Sequence, residues 1–137
     1  MKTFIVTIAS LILLMIFPMQ NALDTVKSHK IERLDEAVYV ACQKARTDGR
    51  FTDGNINELK SNILAIFPDV DESEITIDVT TAKKYKRFEY DSRETINYRI
   101  VVPIKKIINM NRVLGISDER NRTEYVIEGY VLSEAVE

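Results

Sequence analysis

The run TFIVTIASLILLMIFPMQNAL, residues 3–23, carries no charge, and nothing else in the chain limits its folding as strongly. In helical form it covers about 31 Å, the hydrocarbon thickness of a bilayer. Lipid offers backbone groups no partners, so a chain within it must satisfy them internally, and helix is expected despite the β-branched residues. Pro18 removes one helical hydrogen bond and crowds the carbonyl of Leu14. Membrane helices tolerate this, and it predicts a kink near the outer end of a spanning segment. A cleaved secretory signal is the competing reading, with Lys2 as a minimal basic start and residues 3–17 as the apolar core. Cleavage after Ala22 would set Gln20 where a small residue is wanted, so a retained anchor over residues 1–23 is the expectation. The signal-like start favours export of the C-terminal part, against a weak opposing bias from Lys27, Lys30 and Arg33.

The remaining residues, 24–137, suffice for one small domain. The net charge of −2, from 19 basic and 21 acidic residues, supplies no field that would recruit nucleic acid. One cysteine, Cys42, and one histidine, His29, leave no internal disulfide and too few ligands for a Cys/His zinc site. Both residues fall where a helix is expected, Cys42 on a buried face and His29 in solvent. The carboxylates are many, but no motif singles out a pair, and no Gly-rich phosphate loop is present. The expectation is a non-enzymatic chain without cofactor or metal.

Helical character continues past Leu23, with neither proline nor glycine until Gly49. Ile31, Leu34, Val38, Ala41 and Ala45 recur at three- and four-residue steps and form one apolar stripe. Gly49 is the expected C-cap, with Lys44 and Arg46 at the negative end of the helix dipole. Anchor and amphipathic helix together predict one rod of about 44 residues, roughly 65 Å long. The small residues of the stripe suit packing on the chain's own domain or on a neighbouring helix.

The segment RTDGRFTDGN reads as a turn. Its Asp48, Asp53 and Asn55 lack the spacing of an EF-hand. A second helix is expected next, with Asn55 as N-cap, Glu58 as its capping partner, an apolar face of Ile56, Leu59, Ile63 and Ile66, and a stop at Pro68. The acidic stretch DVDES, 69–73, reads as solvated loop. Period-two alternation then marks strands through Ile75–Val79, Ile96–Ile104 and Tyr125–Val131, with Gly129 as a bulge. The fold class is therefore α+β: a transmembrane helix running into a long amphipathic helix, a second short helix, and an antiparallel sheet of three to four strands packed on them. Residues 24–67 would be helical and 68–137 mainly β.

Two connections stand out. KKYKRFEY places Lys83, Lys84, Lys86 and Arg87 among aromatics, a pattern suited to an anionic polymer or lipid or, more plainly, to a hairpin end whose charges pair with nearby acids. The stretch 105–122 is long and apolar at first. Its Ile107, Ile108, Val113 and Leu114 could cover a core edge or meet a partner. Asn121 opens an Asn-Arg-Thr triplet, which reads as a glycan acceptor only in a eukaryotic secretory setting.

The span Thr3–Leu23, Pro18 within it, the helix Asp24–Arg46 and the sheet that follows resemble, in layout, a type IV pilin-like or pseudopilin subunit, in particular the small TadE-like proteins. The resemblance implies a single-pass subunit of a pilus, secretion or conjugation-type envelope assembly, with an extracytoplasmic domain. It further implies lateral packing of the N-terminal helix with other subunits, for which Pro18, Ile31, Leu34, Val38, Ala41 and Ala45 are the residues. The start MKT is not a processed pilin leader, and the apolar run lacks the acidic residue of mature pilin helices. The expected subunit is therefore an unprocessed, membrane-held accessory. The alternative is an exported binding module with a cleaved signal and a basic hairpin.

Overall fold

A computed structural model describes residues 1–137. Helix α1 spans Lys2–Asp48 and passes through Pro18 without a break. Anchor and amphipathic segment are one element, as the sequence predicts. The helix stops at Gly49, whose φ of 77° is the left-handed conformation that costs glycine nothing. In its N-terminal half every apolar side chain is exposed or nearly so, and this is the one helix long and apolar enough to cross a membrane.

The C-terminal half of α1 behaves differently. Leu34, Val38, Ala41, Cys42 and Ala45 are buried, and Ile31 is half-buried. They pack with Leu59, Ile63 and Ile66 of α2 (Asp53–Ile66) and with Ile96, Ile100, Val102 and Ile104 of the sheet in one sixteen-residue core. Each fully buried aliphatic side chain contributes about 1.5–3 kcal/mol by leaving water. Cys42 sits inside this core, and burial pushes its thiol up to about 11.

The sheet is a three-stranded antiparallel meander in the order β1 (Thr76–Val79), β2 (Thr95–Lys105), β3 (Arg122–Leu132). The α+β layout is as expected. Strand β3 pairs with β2 along its whole length, from Thr95 opposite Leu132 to Lys105 opposite Arg122. Gly129 is therefore not a bulge but sits in regular register opposite Tyr98. A Cβ on Gly129 would lie 2.7 Å from the Tyr98 hydroxyl, so the glycine makes room for that ring.

Two further local readings change. The N-cap of α2 is Thr52, whose hydroxyl accepts from the Asn55 amide. Asn55 lies a turn inside, buried, and its Nδ2 donates to the Ala41 carbonyl at 2.8 Å. Glu58 pairs with Lys44 of α1 instead of capping its own helix. Helix–helix packing thus gives both residues better partners than the local capping pattern offered. The acidic 69–73 segment is also more than solvated loop. Val70 is buried, Glu72 pairs with Lys60, and Asp71 joins Glu74 in a capping box around a single 3-10 turn.

Candidate interaction surfaces

No group of three or more His, Cys, Asp or Glu side chains comes together in a way that could hold a metal ion. Asp48, Asp53 and Asn55 are split between the end of α1 and the start of α2, and the Asn55 amide is already spent on Ala41. His29 is exposed, with Glu32 as its neighbour at 3.5 Å. What the fold presents is three surfaces strung along α1.

The first is the apolar half of α1 itself. Phe4, Leu11, Leu14 and Phe17 show 56–75 % of their surface. Pro18 belongs to this half. The stripe from Leu34 to Ala45 does not, because those side chains are consumed by the chain's own core. They cannot also pack on a second subunit without opening the domain. Of the assembly residues that the resemblance implies, only Pro18 and the half-buried Ile31 lie outside the sixteen-residue core.

The second surface is the β1–β2 connection, residues 80–94, which straps the far end of α1. Lys84 donates its amide to the Gly49 carbonyl, Lys86 donates to Ala135, and the Ser133 hydroxyl donates to the Lys84 carbonyl. A Cβ on Gly49 would come within 2.3 Å of the Lys84 carbonyl oxygen, so the strap lies directly on the helix cap. Buried Glu94 organises its tip. The Glu94 carboxylate accepts from the amides of Glu89 at 2.6 Å and Tyr90 at 3.1 Å. Burial works to raise its pKa, but the amides of Glu89, Arg87, Tyr90 and Phe88 outweigh burial and hold it below the usual carboxylate value. Phe88 and Tyr90 adopt positive φ, 62° and 52°, and stand exposed. The expected pairing of the basic residues with nearby acids does not occur: Lys83, Lys84, Lys86 and Arg87 form no ion pair, while Lys83 lies over Tyr85 and Lys86 over Phe88. The nearby acids Glu89 and Asp91 are taken by Arg93.

The third surface is the β2–β3 connection, residues 106–121, and it binds the middle of α1, where the uncharged run ends. Gln20 Nε2 and Lys27 Nζ donate to the Ile107 carbonyl at 3.0 and 3.2 Å. The Asn109 amide donates to Gln20 Oε1, and Asn109 Nδ2 donates to the Met19 carbonyl. Asn121 is the internal staple. It is buried, accepts from the Ile108 amide at 2.7 Å and donates to the Ile108 carbonyl at 2.9 Å. The folded chain therefore does not offer this side chain to a glycan. Ile107 and Ile108 are half-buried, whereas Val113 and Leu114 are exposed. An open hollow of about 500 Å³ lies within the loop, between Lys105, Lys106, Arg112 and Arg122 on its cationic sides and Asp118 and Glu119 on its acidic ones.

Residue spacing did not point to Asn109 or Glu94, and it singled out Asn121 only as a glycan acceptor and Gln20 only as a misfit at a cleavage site. The one local hint was the adjacent carboxamides of Gln20 and Asn21 near the end of an uncharged run. No family model, curated protein sequence or solved structure matches this chain.

Proposed function

We propose that this chain is a non-enzymatic, single-pass subunit of a pilin-like envelope assembly, held in the cell membrane by residues 1–23, with its α+β domain on the extracytoplasmic side. The observation that carries the reading is the division of α1. One uninterrupted helix has a half that buries nothing and a half keyed into a domain core. From Lys2 to Pro18 the exposed half has no partner within the chain, and lipid together with neighbouring spanning helices is the environment such a surface fits. The domain stands on the other half as a rigid head, with the 80–94 strap at its far end.

The test is made on full-length protein expressed in a bacterial membrane. The reading expects protein resistant to alkaline extraction, with an intact mass that retains the apolar run. It also expects protease sensitivity of the domain from the extracytoplasmic side, and photocrosslinks from Ile8 or Ile12 to the apolar helices of other single-pass subunits. A mass beginning near residue 23 sinks the anchor and with it the lateral mechanism.

The second reading is an exported binding module, and the free cations of the strap favour it. Lys83, Lys84, Lys86 and Arg87 precede the exposed Phe88 and Tyr90 in the strap, with Lys86 over the Phe88 ring, a surface suited to an anionic polymer. It expects binding to a polyanion such as heparin that weakens steeply with salt and is lost on charge reversal at those four residues. Equal binding by the reversed variant ends that reading.

A further inference from the structure

We propose that the 106–121 loop is itself a bilayer contact. Val113 and Leu114 enter the boundary between headgroups and acyl chains beside the α1 anchor, and the cationic hollow behind them receives anionic phospholipid headgroups. This rests on the membrane-anchor reading and adds to it a second point of attachment, made by the domain.

Position comes first. The loop is hydrogen-bonded to α1 at Met19, Gln20 and Lys27, which are the last turn of the uncharged run and the first charged turns after it. A helix that spans with residues 3–23 therefore sets Asn109 at the level of the leaflet surface. Leu114 is five residues further on, within about 18 Å even for an extended chain. The turns closed by Val113 and Leu114 amides on the Met110 carbonyl, and by the Ile116 amide on Asn111, shorten that reach.

Chemistry agrees with position. Val113 and Leu114 expose 69 % and 53 % of their surface at adjacent positions, without a partner in the fold. A branched apolar pair of this kind next to cations is the composition that settles into a membrane interface. The hollow is lined by four cations, Lys105, Lys106, Arg112 and Arg122, and two carboxylates, Asp118 and Glu119; Lys105 and Arg122 pair with Glu74, and Arg112 with Asp118. Lys106 is exposed and in no ion pair, so its charge is free to meet a phosphate. The loop also holds a definite shape. Lys106 and Met110 adopt φ of 57° and 54°, and Asn121 fixes both polar groups of Ile108. The 80–94 strap also exposes large apolar and basic side chains, among them Phe88 and Tyr90, but sits at Gly49, about 44 Å along the helix from Gln20, out of reach of the same leaflet.

The chain contains no tryptophan, so Leu114→Trp, Phe17→Trp and Phe88→Trp each supply a single reporter in the full chain. Each variant is reconstituted into phosphatidylcholine–phosphatidylglycerol bilayers whose acyl chains carry bromine. The proposal expects a blue-shifted emission and loss of intensity for Leu114→Trp, loss for Phe17→Trp, and no change for Phe88→Trp. Quenching of Phe17→Trp with Leu114→Trp as unquenched as Phe88→Trp overturns the loop contact and leaves the anchor standing. No quenching of Phe17→Trp overturns both. The headgroup part expects weaker quenching of Leu114→Trp in pure phosphatidylcholine, or when Lys106→Glu is added. Equal quenching under all three conditions overturns that part.

Discussion

The two long connections of the sheet, 80–94 and 106–121, solve the same problem with opposite chemistry. Each joins neighbouring antiparallel strands, each is tied to α1, and each contains two non-glycine residues at positive φ. The distal strap is organised by a charged acceptor, Glu94, which can only accept and so gathers backbone amides that point the same way. The proximal loop is organised by a neutral amide, Asn121, which gives one bond and takes one at Ile108, as a strand neighbour would. A carboxylate holds more donors but answers to pH; an amide holds fewer and does not. The strap stands at the far end of the rod with unpaired cations, and the proximal loop faces the plane where the helix turns apolar.

Three experiments would break or sharpen this contrast. The largest effect is expected from Gly49→Ala. A side chain at φ 77° carries left-handed strain, and its Cβ would meet the Lys84 carbonyl oxygen. Together these cost about 2–4 kcal/mol, read by urea unfolding in micelles. Hydrogen exchange should rise through 80–94 and stay unchanged through 106–121. Equal loosening of both loops would mean they are not independent.

Asn121→Ala is the mirror case. It strips both partners from Ile108 and costs about 1–2 kcal/mol, with the rise in exchange confined to 106–121 and to the Asn109 amide bonded to Gln20. A stability equal to that of the parent would mean that water replaces the amide and that the α1 contacts alone hold the loop.

The smallest effect separates the two organisers by pH. The folded pKa of Glu94 lies below its ordinary value, so its contribution is complete above that ordinary value, near 4.3. The contribution fades as pH falls towards and through the lower folded pKa. Protection of the Glu89 and Tyr90 amides should fall in this acid window, and Glu94→Gln should remove that dependence. The Ile108 amide should show none from Asn121. The Arg112–Asp118 pair in the same loop is exposed and adds little. An Ile108 amide that follows the same acid profile as Tyr90 would erase the distinction.

Much of the frame could be read locally. The uncharged run, the three- and four-residue stripe, Gly49 and the alternating strands each depend on a period or a cap that near neighbours decide. Expectations failed where distant segments supplied a better partner. The local pattern makes Asn55 a cap, but in the fold it is a cross-helix donor because Ala41 lies beside it. A glycine within a strand pattern predicts a bulge, but Gly129 instead gives space to the Tyr98 ring. The stripe that suits assembly contact is absorbed by α2 and the sheet.

The order of the chain along one long helix, its uncharged half and the strands that follow were set by the sequence itself, because hydrophobic periodicity and the absence of charge act over a few residues. Tertiary structure alone decided which loop lies at the Gly49 end of that helix and which lies where its uncharged run stops. Asn109 meets Met19 across 90 residues, and no pattern along the chain encodes such a contact. It exists because the meander carries the β2–β3 turn back to α1, where the Met19 carbonyl and the Gln20 side chain can bind it.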